Sequence, residues 1–202
     1  MRDLPAAIWP VVLEEGGIRL RPLGYRDQRA WRRLRSANER WLAPWEATSP
    51  EPGTPLRGYR QMVHQLNRTG RRGLGLPLAI EVDGELAGQV SVGGVVWGSM
   101  RGCAVGYWVD QAVAGRGVAP TAVALVTDHC LFTTGLHRVE VNIRPENQAS
   151  LRVVEKLGFR DEGLRARYLH IDGGWRDHRT FALTAEDVPQ GLMQRWRRVR
   201  GS

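Results

Sequence analysis

The sequence predicts an α/β (α+β) fold: a mixed, mostly antiparallel twisted sheet of about seven strands with helices on both faces. Three observations point there. The expected elements run strand, two helices, three strands, helix, strand, helix, two strands, an order that is neither pure alternation nor segregation. Two Asp-Gly turns, Asp83-Gly84 and Asp172-Gly173, each join two apolar runs as a hairpin. A glycine-rich turn between Val109 and Ala119 instead joins a strand to a helix.

Taken in order, Ile18-Arg-Leu-Arg-Pro-Leu23 alternates apolar and charged residues and reads as a strand. A basic helical stretch, Arg29 to Arg35, carries Trp31 and Leu34 on one face. Trp41 to Glu46 and the Pro/Gly-rich Ser49 to Thr54 read as a loop. Thr54-Pro55 is a helix start, a side-chain cap followed by Pro at the first position, and that helix ends near Gly70. Leu76 to Val82 and Leu86 to Trp97 flank the first Asp-Gly turn, and Cys103 to Val109 is a further strand. A helix over Val118 to Thr134 stops at Gly135. The strand Arg138 to Arg144 follows, then a short helix from Asn147 to Leu157 that Gly158 ends. Phe159 to Leu169 and Trp175 to Leu183 form the last hairpin. Residues 184–202 read as a basic tail, with Arg195, Arg197, Arg198 and Arg200 around Trp196.

With 202 residues, 42% apolar and 25% charged, the chain has the profile of a soluble globular domain with its own core. No apolar run approaches the roughly 20 residues that span a bilayer. The N-terminal residues lack the apolar core of a secretory signal, and the two cysteines, Cys103 and Cys130, sit in no C-x-x-C pair. These features imply a cytoplasmic protein without membrane attachment. The five histidines show no metal-ligand spacing, so no metal is expected. The net charge of +8 fits attraction to RNA or to a phosphate-bearing cofactor, and equally a solvated basic face.

The chemistry concentrates in two segments. In Val109-Asp-Gln-Ala-Val-Ala-Gly-Arg-Gly-Val-Ala119, Gly115 and Gly117 remove Cβ atoms, so the backbone can curl and its N–H groups can converge. The unpaired N–H groups and dipole of the following helix point the same way, and Arg116 adds a fixed positive charge. Such a turn suits a diphosphate; a tight strand-to-helix turn alone accounts for it too. There is no G-x-x-x-x-G-K-[ST], and Pro120 stands where a dinucleotide fingerprint needs a third small residue. The second segment, Asn147-Gln-Ala-Ser-Leu-Arg-Val-Val-Glu-Lys-Leu-Gly-Phe159, opens a helix on Asn147 and closes it on Gly-Phe.

Together the two segments resemble the GCN5-related N-acetyltransferase (GNAT) family. Within it, Leu20-Arg-Pro-Leu23, Pro44-Trp-Glu46, Gly106-Tyr-Trp-Val-Asp110, Glu162-Gly-Leu-Arg165 and Gly174-Trp-Arg-Asp177 are most similar to the Rim-type branch, which acetylates the N-terminal alanine or serine of ribosomal proteins. The resemblance covers roughly residues 18–183 and implies one GNAT domain over 1–202. It implies acetyl-coenzyme A (acetyl-CoA) as cofactor, bound by Tyr107, Trp108, Val109, Ala114, Gly115, Arg116, Gly117, Val118, Ala119 and Asn147. The family's frequent Gln or Arg three residues before the first glycine is Ala112 here. Its Tyr four residues before the Gly-Phe glycine is Val154.

With that Tyr replaced, Ser150, in the first turn near the sulfur, is the candidate donor to the departing thiolate; Asn147 and Ser150 equally serve as helix caps. A backbone N–H of Tyr107 to Val109 is placed to receive the developing oxyanion. The candidate base is Glu46, with Glu81 an alternative, and each also reads as a solvated carboxylate. Tyr168, His170 and the Asp172 to His178 turn are expected in the acceptor wall. The acceptor is expected to be a protein or peptide N-terminus, with the basic tail a candidate ribosome or RNA contact. Two other readings share the fold: an acetyltransferase for small amines such as an antibiotic or polyamine, and a non-catalytic ribosome- or RNA-binding protein.

Overall fold

The computed structural model describes residues 9–51, 53 and 58–201; the expected Thr54-Pro55 helix start lies outside them. Eight strands form one sheet: β1 (Leu13–Glu15), β2 (Ile18–Pro22), β3 (Leu76–Val82), β4 (Glu85–Val96), β5 (Gly102–Val109), β6 (Arg138–Ile143), β7 (Arg160–Ile171) and β8 (Gly174–Thr184). Their spatial order is β1-β2-β3-β4-β5-β6-β8-β7, antiparallel throughout except at β5–β6. The strand not foreseen, β1, folds back on β2 through Gly16-Gly17, both at positive φ. The Asp-Gly hairpins form as expected: Asp83 and Gly84 have φ of 51° and 86°, Asp172 and Gly173 of 47° and 73°.

Helices cover both faces. On one lie α1 (Gln28–Ala37), the short α2 (Glu39–Leu42) and α3 (Tyr59–Arg71); on the other lie α4 (Val118–Asp128), α5 (Gln148–Leu157) and α6 (Leu192–Gly201). β3 shows why both faces must be covered. Leu76, Leu78 and Ile80 point to the α4 side and Ala79 to the Val63–Tyr59 side of α3, so the strand is buried nearly end to end. α4 is buried almost all round, from Val118 through Ala122, Val123, Ala124 and Val126, as befits a central helix. It ends earlier than the sequence suggests, at Asp128, and continues as one wider π turn over His129–Thr133.

Two stretches read as loop or tail are helical. α2 follows α1 because Asn38 turns the chain while staying buried. Its amide donates to the Leu34 carbonyl and to Asp110 Oδ1 at the end of β5, and its Oδ1 accepts from the Gln111 N–H. Residues 184–202, expected as a basic tail, instead carry α6 onto the core. Leu192, Met193 and Trp196 are buried there, and Asp128 caps the helix by accepting from the N–H groups of Leu192 and Met193. Burial pushes the Asp128 carboxyl above its ordinary value, partly offset by those two bonds. Arg195 donates to the carbonyls of Leu157, Gly158 and Asp187, Arg197 pairs with Glu15, and Arg198 donates to Gln190. Most of the tail's charge is thus engaged within the molecule. No helix among the described residues is long and apolar enough to cross a membrane.

Candidate active site

The sheet opens at β5. This strand pairs with β6 only through Gly102–Arg138, Cys103–Val139 and Ala104–Glu140, although β5 continues to Val109 and β6 to Ile143. The Asp110 N–H bonds to Ala87 on β4 at 2.7 Å. Backbone groups alternate sides along a strand, so the N–H and C=O of Val109 and Tyr107 turn the other way, into the gap. The Trp41 indole N–H meets the Val109 carbonyl there at 3.2 Å. A cavity of about 840 Å³ occupies the gap and reaches both faces of the sheet.

One half of the cavity lies between α4 and α5. The Asp110 side chain accepts from the Ala112 N–H and starts a short 3₁₀ turn over Gln111–Val113. Gly115 and Gly117 then adopt φ of 81° and 83°, the left-handed region that glycine enters without strain. Gly117 is the N-cap of α4. Its carbonyl accepts from the Thr121 hydroxyl at 2.8 Å, and that hydroxyl accepts from the Trp196 indole N–H, also at 2.8 Å. Opposite, the Asn147 side chain caps α5 by accepting from the Ser150 N–H. The Ser150 hydroxyl lies on the lining and makes no hydrogen bond among the described residues. The buried Tyr107 hydroxyl donates to the Ser150 carbonyl at 3.4 Å, tying β5 to the first turn of α5. Burial moves the pKa of that phenol still further above neutral, partly offset by the bond to Ser150.

The other half is aromatic. Trp31 meets Trp108 edge-on with ring centroids 5.4 Å apart, and the Arg35 guanidinium lies 5.2 Å from the Trp108 ring. Trp41 and Trp45 complete the wall, and Arg144 stacks on Trp45 at 5.4 Å. Glu46 lines the cavity with its carboxylate paired to Arg35, and Glu146 lines it with its carboxylate paired to Arg144.

Of the sequence-predicted site residues, Tyr107, Trp108, Val109, Ala114, Gly115, Gly117, Val118, Ala119, Asn147, Ser150 and Glu46 all line this cavity. Arg116 sits exposed on the turn, outside the lining. Glu81 is elsewhere: it is buried on β3 and paired with Arg21. Val154 faces the core and is 1% exposed, so the position is structural in this chain. Tyr168, His170 and residues 172–178, expected in the acceptor wall, are not among the residues that line this cavity. Tyr168 packs on His178 and Arg165, while His170, Ile171 and Asp172 grip residues 46–48 from behind through the Thr48 N–H to His170 carbonyl bond, the Ala47–Ile171 bridge and the Asp172 N–H to Glu46 carbonyl bond. The hairpin thus positions Glu46 and Ala47 instead of touching the cavity. The lining residues missed by sequence reasoning include Arg35, Met62, Gln89, Glu146, Arg152 and Lys156, which come from several elements.

The acetyltransferase (GNAT) domain model matches residues 18–160. The chain belongs to this family. Over 169 residues the acetyltransferase is 31% identical to the ribosomal protein uS5-alanine N-acetyltransferase of Escherichia coli, covering 82% of this chain and 87% of that one. The probable N-acetyltransferase YjcK of Bacillus subtilis is 37% identical over 108 residues, 54% of this chain and 60% of that one. Among solved structures, Mycobacterium smegmatis RimJ in complex with CoA-disulfide superposes with a TM-score of 0.89 at 38% identity, covering 95% of this chain and 96% of that one. Enzymes of this family use acetyl-CoA as acyl donor, and the residues of the acetyltransferase fit it. A largely apolar slot runs beside unpaired strand amides, a glycine turn opens a helix at one end, and Arg152 and Lys156 line the slot without an ion-pair partner among the described residues.

Proposed function

We propose that this acetyltransferase moves the acetyl group of acetyl-CoA onto the α-amine of a protein N-terminus, an alanine or serine of a ribosomal protein, in the cytoplasm. The observation that carries the reading is the two-sided cavity: a phosphate-friendly half and an aromatic half meet at the open edge of β5. The similarity to an enzyme named for the uS5 alanine supports the choice of acceptor.

In this reading the turn from Ala114 to Ala119, with Arg116, holds the pyrophosphate, and Asn147 fixes the first turn of α5 against the thioester arm. Acetyl-CoA supplies an activated acetyl thioester. The N–H groups of Tyr107 and Val109 receive the carbonyl oxygen as charge builds on it. The Ser150 hydroxyl donates to the sulfur as it leaves, with Tyr107 holding the turn that aims it. The aromatic half aligns the amine, which converts a bimolecular encounter into a near-unimolecular one.

The carboxylates on the lining favour an α-amine. Glu46 and Glu146 are both committed to arginines, so neither stands free as a strong base. At pH 7 an α-amine of pKa about 7.8 is about 14% neutral, whereas a lysine near 10.4 is about 0.04% neutral, roughly a 350-fold difference in available nucleophile. Trp41 and Trp45 line the aromatic half, and in this reading their bulk favours a small first side chain. Ribosome contact through the C-terminal arginines belongs to this reading as a separate element and rests on the exposed faces of Arg197, Arg198 and Arg200.

The test compares two peptides of one sequence, one with a free N-terminal alanine and one N-terminally blocked with a free internal lysine, with mass spectrometry locating the acetyl group. Acetylation of the free N-terminus is the expected result. Faster modification of the lysine, or of polyamines and aminoglycosides, overturns the acceptor and leaves the acyl donor standing.

A further inference from the structure

The family match ends at residue 160 and the cavity lining at Lys156, but the two helices that flank the cofactor half are held by residues far beyond both. α6 crosses behind both helices that flank the slot and is attached to each. Towards α4, the Trp196 indole N–H bonds Thr121, whose hydroxyl bonds the Gly117 carbonyl. Towards α5, Arg195 donates to the carbonyls of Leu157 and Gly158 at the helix C-terminus, a favourable place for a cation. These attachments fix where the last turn of α6 lies.

That last turn places Arg200 against the glycine turn. A methyl group built on Gly117 would sit 3.4 Å from Trp196 Cζ2 and 3.9 Å from Arg200 Nε. The Arg200 guanidinium has no hydrogen bond or ion pair among the described residues. It acts on Glu15 only at a distance, because that carboxylate is held by Arg197 through both its oxygens. Asp128, the other acid near α6, spends its oxygens on the N–H groups of Leu192 and Met193. Arg116, on the turn itself, is likewise without a side-chain partner among the described residues. Arg116 thus precedes Gly117 on the exposed turn and Arg200 approaches Gly117 from the C-terminal helix, both just outside the cavity lining, with Glu15 and Asp128 already satisfied. Planar guanidinium forks suit phosphate oxygens and keep their charge at any physiological pH.

We propose that Arg200 joins Arg116 in clamping the pyrophosphate of CoA at the Gly115–Gly117 turn, which makes the C-terminal helix part of the cofactor site. The proposal rests on the reading of that turn as the pyrophosphate cradle. Its chemistry also explains the strap-like attachment of α6: a cation on a frayed helix would lose its aim, whereas Trp196 and Arg195 hold this one in register with both flanking helices.

The experiment titrates full-length wild type, Arg200→Ala and Arg200→Lys with three probes by calorimetry: CoA, dephospho-CoA, which lacks the 3′-phosphate, and pantetheine, which lacks every phosphate. Arg200→Ala is expected to raise the Kd for CoA and dephospho-CoA alike by about three- to tenfold, with a smaller effect at high salt. Arg200→Lys should recover part of the loss, and pantetheine binding should not change. The exposed position of Arg200 keeps the melting temperature near that of wild type. Unchanged CoA affinity in Arg200→Ala overturns the proposal. So does a loss seen with CoA but not dephospho-CoA, which assigns Arg200 to the 3′-phosphate, or a loss seen only in binding to ribosomal RNA. If wild type itself binds CoA no better than pantetheine, the cradle reading fails and the clamp fails with it. A wild-type preference for CoA that survives Arg200→Ala removes the clamp alone.

Discussion

Replacing Gly115 by alanine separates what the glycine turn does for folding from what it does for binding. Gly115 has φ of 81°, and nothing lies within 4 Å of the position a Cβ would take. The substitution therefore adds no clash. It adds only the cost of holding an L-residue in the left-handed region, about 1–2 kcal/mol. Because the turn is exposed, the free protein can relax the substituted position to negative φ and largely escape that cost. Binding then requires the turn to be restored, so the penalty moves into affinity: about 1–2 kcal/mol corresponds to a 5- to 30-fold rise in the Kd for CoA. Calorimetric titration reads that change, and a thermal melt should stay within a few degrees of wild type. Gly117→Ala provides the contrast. Its Cβ would make an ordinary 3.4 Å contact with Trp196 Cζ2, but its φ of 83° sits at the N-cap of the packed α4, where the chain is less free to relax, so it lowers melting temperature and affinity together. A Gly115→Ala protein that binds CoA within twofold of wild type, at an unchanged melting temperature, would refute the reasoning that the turn's shape is what grips the cofactor.

Ser150→Ala should cut turnover about tenfold or more while leaving CoA affinity near wild type, because its hydroxyl lines the cavity and the N-cap bond uses its N–H instead; pre-steady-state kinetics separates the two effects. Trp196→Ala should cost about 3–5 kcal/mol of stability by denaturant titration, since the ring is 4% exposed and bonded to Thr121. For the same reason, deletion of α6 cannot test ribosome contact, and charge neutralisation of the exposed Arg197 and Arg198 with co-sedimentation at low salt is the appropriate measurement. The guanidinium groups of Arg138 and Arg160 hold the Glu162 carboxyl down to about 2 against an ordinary value of 4.5. A depressed carboxylate stabilises the fold above its unfolded pKa, and that contribution fades as pH falls from about 4.5 towards 2. Glu162→Gln should therefore lower the melting temperature at neutral pH and flatten the acid limb, with the difference from wild type shrinking as pH falls towards 2.

What could be read from the sequence was whatever lies close together along the chain. The two Asp-Gly hairpins, the glycine turn after β5 and the Asn147 to Gly158 helix each carry their turn chemistry within a dozen residues, and each forms where expected. α6 was missed because its four arginines dominate a short window, although Leu192, Met193 and Trp196 already mark one apolar face at helical spacing. The Asn38 junction was missed for a different reason: its meaning lies in Asp110 and Gln111, more than 70 residues on. The aromatic half of the cavity is equally non-local, since Trp31, Trp45 and Trp108 are brought together only by the sheet. The last hairpin is expected in the acceptor wall by analogy, but it meets the cavity only indirectly, through its bonds to residues 46–48.

The short β5–β6 pairing has a thermodynamic consequence. A sheet normally exposes unpaired backbone only at its rims, yet here the N–H groups of Tyr107 and Val109 face a gap in the middle of the sheet, where Trp41 takes the Val109 carbonyl. Pantetheine carries amides of its own, so a ligand lying in that gap stands in for a strand the chain does not supply. Binding to the native state alone stabilises it by RT ln(1 + [L]/Kd), about 2.7 kcal/mol when the ligand is at a hundred times its Kd. A ligand bound in that gap is therefore expected to raise the melting temperature and to slow proteolysis between α4 and α5 as its concentration rises over Kd.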